Sequence, residues 1–269
     1  MIHLQSVSLS RIPTAEAEQF PFTVPVIKSL PELAFTTPMT FLVGENGSGK
    51  STFLEAIASA ANAIAVGSDE LDHDTSLANV SKLGKALKLT WSKRTRNGFF
   101  LRAEDYFGYA KRLARIRQEL EAEVKEIDEE YKDRSKFAQG LARMAHIGQL
   151  HELKTRYNGD LDERSHGESF FTFFKARFQP NGLYLLDEPE APLSPLRQLG
   201  FLSLLKEMVE QHSAQFIIAT HSPILMAFPD AVILSFDQGK VSQVAYDELE
   251  HVNLTRDFLN NREAFLRQL

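Results

Sequence analysis

Cysteine is absent from the 269 residues. That removes disulfides, thiolate metal sites and cysteine nucleophiles together, and it fits a reducing compartment. Positive charge is not in excess either: 30 Lys and Arg stand against 36 Asp and Glu, a net charge of −6. The overall field therefore does not draw the chain to nucleic acid or to an anionic membrane. Long apolar runs are missing as well. No window reaches the eighteen or so uncharged apolar residues of a membrane span, and the opening MIHLQSVSLSR alternates like a strand rather than a signal peptide. The expectation from these absences is a soluble, cytoplasmic protein without an integral membrane segment. What is present, 43% hydrophobic and 25% charged residues, suits one domain over 1–269, large enough to carry an insertion.

Residues 1 to 43 read as strands broken by proline and end in the apolar MTFLV. GENGSGKST follows, then FLEAIASAANAIAV, in which Phe53, Leu54, Ile57, Ala61 and Ile64 recur at helical spacing. This is strand, glycine loop, helix. Residues 67 to 85 are polar and read as a connection. From Ala86 to Glu104, ALKLTW and FFLRAE flank SKRTRNG, and Asn97-Gly98 predicts a hairpin turn. Residues 105 to about 165 read as a helical insertion. Its first part places Leu113, Ile116, Leu120, Val124, Ile127 and Tyr131 three or four apart on a charged helix of about three heptads. Beyond it come RSHGES and a helix, the strand GLYLLDEPE, a helix from about Leu196 to Gln211, the strand QFIIATHSP and the strand AVILSF. Strands alternating with helices predict an α/β fold with a parallel central sheet and an N-terminal β layer.

Gly44-x-x-x-x-Gly49-Lys50-Ser51 fits the phosphate-binding loop pattern, in the strand-to-helix context that the pattern needs. Backbone N–H groups of Gly44, Glu45, Asn46, Gly47, Ser48 and Gly49 would curl around phosphates. Lys50 would reach the β- and γ-phosphates of ATP, Ser51 would ligate Mg²⁺, and Thr52 would support the α-phosphate. Leu183 to Leu186 is an apolar strand ending in Asp187 and Glu188. A carboxylate at the carboxyl end of a buried strand needs a cation, so Asp187 is read as a second Mg²⁺ ligand. Glu188 is then placed to polarise a water as general base. His221 follows the strand FIIAT and is read as a catalytic sensor of the γ-phosphate.

The order GENGSGKST, RSHGES, LLDEPE, ATHSP resembles the nucleotide-binding domain of the ABC-type ATPases. It most resembles the soluble branch akin to SMC and recombination-repair ATPases, whose stand-alone members have phrases similar to FPFTVPVIKSL, FFLRAEDYF and TRDFLNN. The resemblance implies a P-loop NTPase fold, ATP hydrolysis with Mg²⁺, and an ATP-dependent head-to-tail homodimer. It also implies that RSHGES, by spacing a capping box Ser165-x-x-Glu168, is the signature whose Ser165 and Gly167 meet the partner copy's γ-phosphate. The usual pattern is Leu-Ser-Gly-Gly-Gln; here Arg164, His166 and Glu168 depart from it. Glu104 falls where the family has a glutamine, Leu193-Ser194-Pro195 where it has a dimer-contacting loop, and Phe20 or Phe22 where an aromatic stacks on adenine. DNA and a partner protein are the targets that the branch implies. Lys82, Lys85, Lys88, Lys93, Arg94 and Arg96 read first as a solvated basic face and otherwise as contacts to nucleic-acid phosphates. The alternative functions are the ATP-binding subunit of a membrane transporter and an ATP-gated clamp with little turnover. The absence of cysteine, with only about 110 residues between loop and signature, excludes the long-armed repair ATPases.

Overall fold

The computed structural model describes residues 1–10, 12, 16–66, 75–156 and 166–267. The chain opens with β1 (Leu4–Leu9), α1 (Pro25–Lys28), β2 (Leu33–Ala34), β3 (Met39–Val43), α2 (Lys50–Ala61), α3 (Thr75–Ala86), β4 (Leu87–Trp91) and β5 (Gly98–Arg102). Three helices follow: α4 (Ala103–Glu130), α5 (Lys136–Arg156) and α6 (His166–Arg177). It continues with β6 (Leu183–Asp187), α7 (Pro195–His212), β7 (Gln215–Ala219), α8 (Pro223–Met226), β8 (Val232–Ser235) and β9 (Ser242–Val244), and closes with α9 (Glu250–Asn260) and α10 (Arg262–Leu266). Residues 1–103 with 179–269 form one compact unit and residues 104–178 a second.

In the first unit the central sheet has the order β5-β6-β7-β3-β8-β9. All neighbours are parallel except β9, which runs antiparallel to β8. Every residue of β3, β6 and β7 is buried, as apolar runs are when both faces of a parallel sheet are covered. A second, antiparallel sheet has the order β2-β1-β4. The buried Gln215 carboxamide joins the two sheets: its Oε1 accepts from the N–H groups of His3 and Leu4, both at 2.8 Å, and its Nε2 donates to Leu4 O at 2.9 Å. The fold is α/β, a P-loop architecture with a parallel centre and an N-terminal antiparallel layer, as the sequence predicts.

Three local expectations are corrected. The stretch 86–104 is not a hairpin: β4 pairs with β1 in one sheet and β5 pairs with β6 in the other. The Asn97-Gly98 signal has a different cause. Gly98, paired with Leu183 of the parallel strand β6, has φ +119°, and a Cβ there would stand 1.8 Å from Leu183 O. Part of the polar stretch 67–85 is helix α3, held by buried Val80, Leu83 and Ala86 three residues apart; residues 67–74 lie outside the described residues. α2 ends at Ala61, where Asn62 turns left-handed with φ 53°, so Ile64 is 65% exposed rather than core.

The second unit is helical, and the segment beyond Leu141 that lacks a clear period is nevertheless helix α5. Arg143 pairs with Asp128 at 3.1 Å and His146 with Glu123 at 3.2 Å, so α4 and α5 run antiparallel. Phe137, Leu141 and Met144 on α5 are exposed, which is why no core period marks that helix. Tyr106 of α4 meets Phe170 and Phe173 of α6 edge-on, at ring distances of 4.6 and 5.4 Å. Such contacts are favoured by the ring quadrupole.

Gly98→Ala is expected to lower the unfolding free energy by on the order of 3 kcal/mol, since strain and a backbone collision coincide. Urea denaturation checks it, and an unchanged midpoint would show that β5 and β6 do not pack this closely.

Candidate functional site

β3 delivers the chain from the middle of the central sheet into residues 44–49, and α2 begins at Lys50. Gly47 has φ +81° and a Cβ there would meet no heavy atom within 4 Å. The loop backbone is therefore open to close approach at that point. The loop is also tied from outside. Asp237, just past β8, accepts from Glu45 N through Oδ1 at 2.9 Å and from Ser235 Oγ through Oδ2 at 2.7 Å. Lys50 Nζ donates to the carbonyls of Gly44 and Glu45 at 2.7 and 2.9 Å. Burial holds the Lys50 ammonium below its usual pKa, opposed by Glu188, Asp187, Asp237 and Glu190.

β6 and β7 run parallel to β3, so their carboxyl ends arrive at the same edge. Asp187, the last residue of β6, is 7% exposed and accepts from Ser51 Oγ at 3.1 Å. Burial pushes its carboxyl up to about 6, against the Ser51 hydrogen bond and the Arg102 charge. Arg102 itself closes a salt bridge to the buried Glu55 of α2. Glu188 takes the left-handed conformation, φ 49°, which turns its half-exposed side chain out of the strand. Its Oε1 lies 3.9 Å from His221 Nε2, too far for a hydrogen bond. Glu45, Asn46, Glu188 and His221 line a cavity of 460 Å³.

Burial, with the Lys50 charge, holds His221 below the ordinary imidazole pKa. Its N–H donates to Glu190 Oε1 at 2.8 Å. The next residue, Ser222, donates from Oγ to Gln198 Oε1 at 2.6 Å, and Gln198 Nε2 donates to Leu193 O at 3.1 Å. The loop after β6, the start of α7 and the loop after β7 therefore form one hydrogen-bonded assembly.

The structure brings Gly44 to Thr52, Asp187, Glu188 and His221 to one edge of the sheet. Gly167 lies in the first turn of α6, in the other compact unit, and Ser165 lies outside the described residues. Glu104 is in the first turn of α4 rather than at the end of a strand. Phe22 is 1% exposed and belongs to the core, which removes it as an adenine contact; Phe20 is 48% exposed. The sequence reading missed Asp237, Glu190 and Gln198, and it missed His251 on α9. The His251 Nε2 is buried without a hydrogen-bond partner among the described residues. Burial lowers the pKa of His251, with Asp237 raising it and Lys50 lowering it further. Only Glu190 had a visible signal, as the third acid of DEPE.

The residues fit a nucleotide phosphate with a divalent cation. Ser48 Oγ is buried in the loop with no hydrogen-bond partner among the described residues, and Ser51 Oγ and Asp187 pair two hard oxygen donors of the kind that Mg²⁺ takes together with phosphate oxygens. Among the described residues no group of three or more His, Asp or Glu side chains could hold a metal alone. None of the described helices is long and apolar enough to cross a membrane.

Two family models match the chain: an AAA ATPase domain over residues 101–226 and an AAA domain over residues 27–70. The second match contains the loop 44–52, and the first contains Ser165, Gly167, Asp187, Glu188 and His221. No curated protein matches the sequence. The fold is similar to the Smc head domain with an extended coiled coil bound to the C-terminal domain of ScpA from Pyrococcus furiosus, at 14% identity and TM-score 0.48, covering 98% of this chain and 100% of that one. It is also similar to a bacterial ABC transporter cassette solved as a dimer, at 17% identity and TM-score 0.44, covering 90% and 97%. Over residues 27–70 and 101–226 the chain is similar to AAA-type ATPase domains, and its loop 44–51 has the pattern of a nucleotide-binding P-loop.

Asp187 yields a stability test. Its folded pKa, about 6, lies above the ordinary 3.8, so the folded chain binds a proton that the unfolded chain has released between those values. Stability is therefore lost as pH rises through this window and does not change further above it. Asp187→Asn, measured in EDTA without nucleotide, is expected to be more stable than the parent at pH 8 by on the order of 2 kcal/mol. The difference should vanish near pH 4; an equal difference at both pH values would show that ionisation of Asp187 is not its source.

Proposed function

We propose that the protein is a Mg²⁺-dependent ATPase whose two sites are each completed by a second copy of the chain, so that ATP closes a head-to-tail homodimer and hydrolysis reopens it. The observation that carries the reading is the placement of two successive acids, Asp187 buried and bonded to Ser51, Glu188 turned outward towards His221. One acid is positioned to hold a metal and the other to meet water. In this reading the whole chain 1–269 is one ATPase domain, with residues 105–165 as its helical insertion.

The loop from Gly44 to Gly49 binds the phosphates through its N–H groups, with Glu45, Asn46 and Ser48 contributing theirs. Lys50 leaves the loop carbonyls for the β- and γ-phosphates, and Thr52 supports the α-phosphate. Ser51 and Asp187 would hold Mg²⁺, which supplies positive charge against the phosphate oxygens. Glu188 accepts a proton from the attacking water as the new P–O bond forms at the γ-phosphorus and the bond to the β-phosphate oxygen breaks, releasing ADP and phosphate. His221, fixed through its backbone by Glu190, senses the γ-phosphate with its ring. Ser165 of the other copy, and its Gly167 at the start of α6, supply N–H groups to the same phosphate.

The exposed Leu196 and Leu199 on the first turns of α7, beside Leu193-Ser194-Pro195, support a surface at that place for the second copy. The switch acts on DNA or on a partner protein. Glu188→Gln is expected to bind Mg-ATP, to double its mass by light scattering when Mg-ATP is added, and to lose at least about a hundredfold in hydrolysis rate. Hydrolysis at the parent rate would remove Glu188 as base. A monomer at saturating ATP would reduce RSHGES to a helix cap.

A further inference from the structure

A cavity of 580 Å³ opens in the first compact unit, at the end of the central sheet remote from the loop 44–49. Gly98 and Leu183, which line it, are the first residues of the parallel strands β5 and β6, whereas Asp187 is the last residue of β6. α2 connects the two ends. It starts in the phosphate-binding loop at Lys50, and its last residue, Ala61, lies in the cavity wall, twelve residues or roughly 18 Å away.

The walls combine three chemistries. Ile64 and Leu183 are apolar, Trp91 presents a half-buried indole, and Arg94 and Arg96 bring two guanidinium groups. Both arginines are exposed, and neither has an ion pair or hydrogen bond among the described residues. Their loop is nonetheless held in one shape. Thr95 Oγ1 donates to Asn181 O at 2.7 Å and accepts from Asn97 N at 3.0 Å, Asn97 Nδ2 donates to Pro180 O at 3.0 Å, and Ser92 N donates to His3 O at 2.8 Å. Among the described residues no acid pairs with this anchored pair of cations. They are open to an anion there, and guanidinium forks match phosphate best.

The indole adds a face on which a planar ring stacks. Asn62, at the left-handed end of α2, contributes a carboxamide with no hydrogen bond among the described residues. A carboxamide of this kind donates to and accepts from a base edge. The volume is that of a small-ligand site.

We propose that this cavity binds a nucleoside phosphate, with its base on Trp91 and its phosphate on Arg94 and Arg96, as a free nucleotide or as the phosphorylated end of a strand. The site is distinct from the loop 44–52, and the proposal does not rest on the ATPase reading.

Trp91 is the single tryptophan of the chain, so its fluorescence reports on the cavity directly. AMP and a short 5′-phosphorylated oligothymidylate are titrated in turn into the parent protein and into Arg94→Ala/Arg96→Ala. Saturable quenching is expected in the parent, with Kd raised at least about tenfold in the double variant. Quenching by both probes assigns the site to a nucleotide as such; quenching by the oligonucleotide alone assigns it to a strand end. No quenching by either, or quenching that survives the double substitution unchanged, overturns the proposal and returns the arginines to a solvated basic face. Both substituted side chains are exposed, so the melting temperature should not move. Calorimetry on Trp91→Phe provides a second reading: AMP or the oligonucleotide, whichever quenched, should bind more weakly there, and equal affinity would also overturn the proposal.

Discussion

The hydrogen bond from Ser51 Oγ to Asp187 Oδ1 joins the start of α2 to the end of β6, and the site is arranged around the constraint that it answers. Burying a carboxylate costs several kcal/mol unless protons or cations meet it. Here the hydroxyl, the Lys50 ammonium and the Arg102 guanidinium share that task, and Arg102 is also committed to Glu55. The group remains poorly satisfied, with a carboxyl pKa near 6. A carboxylate held in that condition is prepared for a cation, and the bound phosphates would make the cation's retention favourable. In the proposed function that unmet charge is what a cation would answer.

Rigidity around this point comes from groups that do no chemistry. Asp237 fastens the phosphate loop through Glu45 N, while Glu190 fastens the backbone of His221. The loops after β6, β7 and β8 thus each spend one acidic or polar side chain on holding a neighbour, while the Glu188 side chain and the His221 Nε2 make no hydrogen bond among the described residues.

Much of the sheet was legible because its strands are short apolar runs ending in motif residues: MTFLV before the glycines, LYLLD before Glu188, QFIIA before the histidine. The hairpin reading failed at Asn97-Gly98 because a local turn signal and a close approach to a neighbouring strand both select glycine with positive φ, and only the partner strand distinguishes them. α3 was hidden because three buried positions, Val80, Leu83 and Ala86, are diluted by serine, lysine and glycine. Within the site, the residues proposed to act on phosphate follow a spacing that such chemistry imposes, so they could be found in the sequence. Asp237 and Gln198 act through distances of the fold rather than of the chain: Asp237 reaches a loop 192 positions earlier, and no pattern in sequence records that.

The parallel pairing of β5 with β6 has a further consequence. Gly98 faces Leu183 and Arg102 faces Asp187, so the chain between the two strands must return along their full length. The whole of residues 104–178 serves as that return. Nothing in the pairing depends on how long or of what shape the return is, so this is the place where the architecture admits exchange. A helical module of another length or shape could fill that return while the residues of the sheet stay under unchanged constraint.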